Sequence, residues 1–218
     1  ATGHKGKTAI EAMCMGSAAH SALAPQAVNA IHLACDLISQ IRHLQEDIAV
    51  NGTQDKAYDI PYTTLHAGLV TGGVALNIVP DHAVVTFEIR NLTTDNPDKI
   101  LDRLRGAIAP VIAVARKRAP DADIAINVIN TYPGLDTPLD DAVVEVLAGL
   151  TGSDRRIKVA FGTEGGLFSQ RLGIPTVVCG PGSMEQGHKA DEFVTLAQLD
   201  ACDAMLEALV DRLEHGIV

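Results

Sequence analysis

Aromatic residues are scarce in this sequence: it has four Phe, three Tyr and no Trp, which together make up 3% of 218 residues. Basic clusters are missing as well, because no run of five Lys or Arg occurs and the formal charge is −10. An acidic chain without such clusters has little with which to neutralise a phosphate backbone. The composition therefore argues against nucleic acid as a partner.

Long hydrophobic runs are also missing. Hydrophobic residues make up 47% of the chain, but Gly or a charged residue interrupts each apolar stretch before the roughly 18 to 20 residues of a membrane span. The first residues do not have the basic-then-apolar pattern of an export leader. We therefore expect a soluble, cytoplasmic protein that has no membrane partner.

The four cysteines are far apart and form no C-x-x-C pair. They are Cys14, Cys35, Cys179 and Cys202. This spacing favours neither a zinc knuckle nor a disulfide framework. We interpret them as reduced, buried thiols in a cytoplasmic protein.

The first 130 residues have the hydrophobic periodicities of a mixed α/β domain. Alternation predicts strands, and apolar residues at three- and four-residue steps predict helices. In chain order these are a strand at 7–16, a helix at 26–50, strands at 62–73 and 84–91, a helix at 96–118 and a strand at 124–130. This is the order of a split βαβ unit with two helices on one face of an antiparallel sheet.

The pattern changes after Tyr132-Pro133-Gly134 to alternating helices and strands. The predicted elements are a helix at 140–150, a short strand at 157–160, a helix at 167–172, a buried strand at 175–180 and a helix at 196–213. They are typical of part of a parallel α/β sheet. Two or three strands are few for a sheet, so we expect further strands upstream of the sequence.

Three loops concentrate polar residues among glycines, at 16–21, 162–166 and 180–192. His188 in the third loop can bind a metal through one ring nitrogen while Asp191 or Glu192 holds the other nitrogen, or it can be an ordinary surface residue. A catalytic zinc needs about three protein ligands, and His188 has no H-x-x-x-H or H-x-D partner. His20 in the first loop can donate a hydrogen bond to an oxyanion, or it can be simply exposed.

Several other chemistries lack their motifs. No Lys follows the glycines at 162–166 in a G-K-[ST] arrangement, no third Gly follows Gly180 and Gly182 at dinucleotide spacing, and no G-x-S-x-G elbow surrounds a serine. Arg90 ends an alternating strand, where it can pair locally or offer its guanidinium to a substrate carboxylate.

Three longer segments together resemble one known family. They are HKGKTAIEAMCMGSAAHSALAPQAVNAI, NIVPDHAVVTFEIRN and GTEGGLFSQRLGIPTVVCGPGSMEQGHKADEFV. They resemble the co-catalytic zinc aminoacylase and carboxypeptidase family, and among its members the acetylornithine deacetylases most. The resemblance implies an α/β protein with a ferredoxin-like βαββαβ lid or dimerisation domain at 5–131. The C-terminal half of a zinc-peptidase-like α/β catalytic domain would follow at 132–218.

The resemblance also implies roles for two histidines. His188 matches the family's C-terminal zinc ligand, and His20 matches the lid histidine that enters the partner subunit's active site and polarises the scissile carbonyl. The implied reaction is hydrolysis of an N-acyl amino acid in which two zinc ions, with cobalt as an alternative, activate a water molecule. The lid implies a homodimer.

Four further positions match substrate-binding residues of the family. Asn77 and Arg90 match the lid residues that bind the substrate's carboxylate and the oxyanion region. Gly162 and Thr163 match the substrate-binding loop opposite them. Glu164 belongs to that same substrate-side loop, and we do not assign it the role of general base.

The family's first half is missing from the sequence, and with it an H-x-D pair, a bridging Asp, a Glu-Glu pair and a further carboxylate ligand. The chain also begins with Ala1 instead of Met. We therefore expect a C-terminal fragment that is inactive and metal-free by itself. Other N-acyl amino acid hydrolases, such as succinyl-diaminopimelate desuccinylase, stay open as the parent. So do a non-catalytic dimerisation module and a non-catalytic α/β binding protein.

Overall fold

The computed structural model describes residues 1–183, 185–187 and 189–216. The chain divides into two compact units: a first unit, Lys5–Gly134, and a second unit made of Ala1–His4 and the chain from Leu135 onward. The elements are β1 (Gly3–His4), β2 (Lys7–Met15), β3 (Ala19–His20), α1 (Ala30–Asn51), β4 (Thr64–Gly72), β5 (Ile78–Val79), β6 (His82–Arg90), α2 (Pro97–Arg116), β7 (Asp123–Tyr132), β8 (Leu135–Asp136), α3 (Ala142–Thr151), β9 (Lys158–Val159), α4 (Gly165–Leu172) and α5 (Leu196–His215).

The first unit is built on an antiparallel sheet in the order β4-β6-β2-β7. Along β2, the buried side chains of Ile10, Ala12 and Cys14 alternate with half-exposed ones. Successive side chains of a strand point to opposite faces of the sheet, so this alternation gives the sheet one apolar face. The helices α1 and α2 cover that face, and the other face is not covered by an element of the first unit.

Both helices of the first unit begin at an asparagine. The side chain of Asn29 accepts hydrogen bonds from the backbone of Ile31 and His32, and the side chain of Asn96 caps α2 in the same way with Pro97 in the first turn. These caps satisfy backbone N–H groups that a helix start leaves without partners. The predicted βαββαβ order is confirmed, although α1 starts four residues later than predicted because residues 21–26 form a 3-10 turn.

A buried lysine fixes the connection between α1 and β4. Lys5 donates hydrogen bonds from Nζ to the carbonyl oxygens of Ile60 and Tyr62, at 2.9 and 2.5 Å, and its ammonium lies 5.5 Å from the centre of the Tyr58 ring. Desolvation lowers the pKa of Lys5. The two carbonyl oxygens and the aromatic ring thus stabilise the buried positive charge of Lys5, where the chain enters the first unit.

The second unit has a sheet of two-residue strands in the order β8-β1-β9, together with α3, α4 and α5. Its three helices lie where the sequence predicts them. The buried strand predicted at 175–180 is wrong: the segment has no strand conformation and is half-buried or exposed. Within the part of the chain that the structure describes, its backbone pairs only at Val178, which exchanges hydrogen bonds with Ala1, and one pair of residues does not make a ladder.

No helix in the described part of the chain is both long and apolar enough to cross a membrane.

Candidate functional site

The loop at residues 16–20 is anchored by backbone contacts. Gly16 donates its N–H to the carbonyl of Asp81, at 2.8 Å. Ser17 and Val28 bind each other twice, from Ser17 N–H to the Val28 carbonyl and from Val28 N–H to Ser17 Oγ, both at 2.8 Å. Each of these bonds fixes the chain just before His20, so the position of that histidine is set by the sheet and by the start of α1.

His20 and Asn77 lie side by side. The short strands β3 and β5 pair with His20 opposite Ile78, and the N–H of Ser21 donates to the carbonyl of Asn77, at 2.9 Å. Both His20 and Asn77 are exposed. The structure thus brings together two residues that the sequence separates widely and that the family resemblance places in one active site.

The imidazole of His20 is held by the backbone. Its Nδ1 accepts a hydrogen bond from Ala22 N–H, at 3.2 Å. In a neutral imidazole with one nitrogen as acceptor, the other nitrogen carries the proton. His20 can therefore present Nε2–H as a hydrogen-bond donor.

Arg90 is held in place by two side chains. Its Nε donates to Glu88 Oε1 at 2.9 Å, and its Nη1 donates to the hydroxyl of Tyr132 at 3.1 Å. Desolvation alone would lower the pKa of Arg90, but the Glu88 carboxylate, as hydrogen-bond acceptor and opposite charge, outweighs it together with Tyr132, and the pKa is raised. Arg90 is therefore a permanent cation.

Arg90 does not lie near His20 and Asn77 within the chain. The loop that leads to His20 joins β6 beside His82, at the start of that strand, whereas Arg90 is at the end of it. Eight residues of extended strand separate the two ends by roughly 27 Å. The polar residues predicted for the first unit thus form two groups, one at each end of the sheet.

Gly162 and Thr163 lie in the second unit, between β9 and α4. Thr163 Oγ1 accepts a hydrogen bond from Gly165 N–H at 3.0 Å, which fixes the turn into α4. Sequence reasoning did not single out His4, which is fully buried and whose Nε2 accepts from Gly166 N–H at 3.3 Å. Gly165 was the available signal, because a Cβ at this position would lie 3.1 Å from both Leu135 Cδ2 and Thr163 Oγ1, closer than an ordinary contact.

His188, the predicted zinc ligand, lies outside the described residues. Within residues 1–183, 185–187 and 189–216, no three His, Cys, Asp or Glu side chains come together as a possible metal site. Since a catalytic zinc needs about three protein ligands, these residues do not form one by themselves. All four cysteines are free thiols, but the expectation that they are buried is wrong for three of them: Cys35 and Cys179 are exposed and Cys202 is half-buried. Cys14 is buried, and burial raises its pKa to about 11.

Comparison with known families gives the class of the protein. Residues 2–113 match the peptidase dimerisation domain of the M20 family, and the chain belongs to this family. The acetylornithine deacetylase of Photorhabdus laumondii is 29% identical over 209 residues, which are 96% of this chain and 52% of the relative. That of Salmonella arizonae is 32% identical over 191 residues, 88% of this chain and 48% of the relative. The chain thus spans about half the length of the curated relatives it matches.

Solved structures share the fold. A tripeptidase from Staphylococcus aureus superimposes with a TM-score of 0.69 at 24% identity, over 94% of this chain and 51% of that one. The aminopeptidase PepT of Bacillus cereus gives a TM-score of 0.69 at 22% identity, over 98% and 53%. These likenesses confirm the fold expected from the sequence motifs, a lid domain followed by part of a catalytic domain.

Proposed function

We propose that the chain is the C-terminal part of a cytoplasmic zinc-dependent hydrolase of N-acyl amino acids. The proposed substrate is N-acetylornithine, which is cleaved to ornithine and acetate in arginine biosynthesis. Similarity to acetylornithine deacetylases along nearly the whole chain supports this substrate. The four free thiols support a reducing compartment.

The observation that carries the proposal is that the paired strands β3 and β5 bring His20 and Asn77 close together. Hydrolysis of an amide places negative charge on the carbonyl oxygen in the tetrahedral intermediate, and fixed hydrogen-bond donors stabilise that charge. His20 offers Nε2–H because Ala22 occupies its Nδ1. In this proposal Asn77 lies beside it in the oxyanion region, while Arg90 binds the substrate's carboxylate.

A complete site requires two copies of the chain. An N-acyl amino acid is far too short to bridge the roughly 27 Å between the two ends of the sheet, so we assign His20 and Asn77 to one subunit and Arg90 to the other. The surface proposed for pairing is the edge strand β4, where Leu69 and Val70 are 68% and 57% exposed. An edge strand with exposed apolar side chains is a template for pairing with a second copy.

Zinc belongs to the proposal for the full-length enzyme only. We assign His188 as one ligand of a pair of zinc ions, with cobalt as an alternative metal, and Gly162 and Thr163 as part of the substrate-binding loop. The other ligands and the general base would come from the half of the relatives' length that this chain does not cover. We therefore expect the 218-residue chain alone to be inactive and to bind metal weakly.

The assignment of His20 is tested in the metal-loaded, full-length enzyme. We expect His20→Ala to lower kcat by about a hundredfold or more. His43→Ala is the matched control, since His43 is exposed on α1, and we expect it to leave kcat unchanged. Equal kcat values for His20→Ala and the wild type would remove His20 from the reaction.

The substrate is tested with the same enzyme against a panel of N-acyl amino acids. Release of ornithine from N-acetylornithine at the highest kcat/KM supports the proposal. A preference for N-succinyl-diaminopimelate would replace the deacetylase by a desuccinylase. Measurable turnover of N-acetylornithine by the 218-residue chain alone would contradict the expected inactivity of the fragment.

Dimerisation is tested on the 218-residue chain by sedimentation velocity. We expect a dimer, and we expect Val70→Lys to shift it toward monomer, because a charge on a paired edge opposes association. Val50→Lys is the control, since Val50 is 79% exposed at the end of α1. A strict monomer at high concentration would contradict pairing through the first unit.

A further inference from the structure

The uncovered face of the first unit carries a small charged cluster at the end of the sheet where the chain enters and leaves. Glu88 lies between two cations: its Oε1 accepts from Arg90 Nε at 2.9 Å, and its Oε2 is 3.7 Å from Lys7 Nζ. Tyr132, opposite Lys7 in the sheet, reaches across β2 to Arg90. One carboxylate between two cations leaves this cluster of Lys7, Glu88 and Arg90 with a net positive charge.

The two contacts on Arg90 define the plane of its guanidinium group. Nε and Nη1 are both engaged, and the structure gives Nη2 no acceptor among the described residues. The side chains of Arg90 and Glu88 are 27% and 28% exposed, so the group is neither free in solvent nor buried. A planar guanidinium held along one side presents its remaining N–H groups as a fixed fork, which matches a carboxylate.

Stability does not account for the arrangement. A partly exposed ion pair contributes little to stability because water screens the charges and ordering two long side chains has an entropic cost. The second partner of Arg90, the hydroxyl of Tyr132, is neutral, so its main effect is to orient the guanidinium group. A group ordered before binding loses less freedom when the ligand arrives.

We propose that Glu88 and Tyr132 are positioning residues that hold the Arg90 guanidinium in the plane needed to bind the substrate's carboxylate. This inference rests on the proposed function, since it assumes that the substrate is an N-acyl amino acid with a free carboxylate. Lys7 interacts with Glu88 from the other side and supplies the second positive charge of the cluster.

The experiment compares two substrates in the full-length, metal-loaded enzyme: N-acetylornithine and its carboxamide, which lacks the carboxylate charge. The variants are Tyr132→Phe, which removes only the hydroxyl, and Glu88→Gln, which keeps an acceptor of the same shape without charge. We expect each to raise KM for the acid by about tenfold, the size of one lost charged hydrogen bond. The kcat for the acid and both constants for the carboxamide should stay nearly unchanged.

Two matched controls separate positioning from general damage. Glu11→Gln changes a glutamate on the same face of the neighbouring strand, opposite Thr86, and this glutamate makes no ion pair with any described residue. Tyr62→Phe removes a hydroxyl from a ring that packs against the core of the first unit. We expect both controls to leave the acid-to-carboxamide ratio of kcat/KM at the wild-type value.

The outcomes distinguish this inference from the proposed function. Wild-type enzyme that does not hydrolyse N-acetylornithine would refute the proposed function. In the 218-residue chain, the side-chain Nε–H signal of Arg90 reports independently on the Glu88 contact by its slow hydrogen exchange. Fast exchange in the wild-type chain, or an acid-to-carboxamide ratio that Tyr132→Phe and Glu88→Gln leave intact in an active enzyme, would overturn the positioning roles.

Discussion

Replacing Gly16 by alanine tests how firmly the loop before His20 is fixed. A Cβ at this position would lie 2.1 Å from the carbonyl oxygen of Val28, which is backbone and has no rotamer to adopt. To reach an ordinary contact the two segments would have to separate by about 1 Å or more. That movement breaks or stretches both hydrogen bonds between Ser17 and Val28. At about 1 kcal/mol for each bond, we expect a loss of about 2 to 3 kcal/mol in the free energy of unfolding.

The assay is urea unfolding of the 218-residue chain, followed by circular dichroism because the sequence has no Trp. Gly106→Ala is the matched control: Gly106 is exposed in the middle of α2, and a Cβ there meets no atom within 4 Å. A glycine in a helix loses more backbone entropy on folding than alanine, so this variant should gain about 0.5 to 1 kcal/mol. A Gly→Ala substitution is thus expected to destabilise the first unit at position 16 and to stabilise it at position 106.

The substitution should also affect the site. A displacement of about 1 Å in a catalytic group lowers rates by about a hundredfold, so Gly16→Ala in the full-length enzyme should lose activity even where it is fully folded. A Gly16→Ala chain as stable as the wild type, with unchanged backbone amide chemical shifts from Gly16 to His20, would refute the reasoning.

Three further predictions concern the stability and the thiols of the first unit. Cys14 should react with a thiol reagent only on unfolding, whereas exposed Cys35 should react at once. Burial raises the pKa of Cys14 from 9.0 to about 11, so the thiol keeps its proton to higher pH in the folded state than in the unfolded state. The free energy of unfolding should therefore fall as the pH rises from 9.0 to about 11. Asn96→Ala should cost about 1 kcal/mol in urea unfolding through loss of the α2 cap, and an unchanged midpoint would contradict the cap. Leu37→Ala should cost about 2 to 5 kcal/mol, since Leu37 is fully buried, whereas Val50→Ala, at a site 79% exposed, should change little.

Local sequence patterns predicted most elements because each rests on contacts within a few residues. The alternation in β2 and the helical spacing of apolar residues in α2 are examples, and the structure confirms both. The strand predicted at 175–180 is wrong because a strand depends on a partner that is distant in the sequence. Its apolar run is typical of a buried strand, but a strand also needs a neighbour to pair with, and among the described residues only Ala1 pairs with this segment.

The residues of the candidate site also divide into those that the sequence predicts and those that only the structure identifies. His20 and Arg90 stood out in the sequence because an imidazole and a guanidinium carry recognisable chemistry. Glu88 and Tyr132 did not, because nothing in their local sequence shows that both side chains reach Arg90. His4 was missed for a similar reason, since its partner Gly166 lies in a distant part of the chain.

The sequence by itself determined the periodicity, the absence of basic and long apolar segments, and the motifs that mark the family. These are properties of neighbouring residues, so hydrophobic spacing and backbone geometry suffice to produce them. Only the tertiary structure decided that His20 lies close to Asn77, that Arg90 lies at the other end of the sheet, and which side chains hold Arg90. Strand pairing sets those distances, and the register between strands far apart in the chain is fixed by the packing of the whole sheet against its helices.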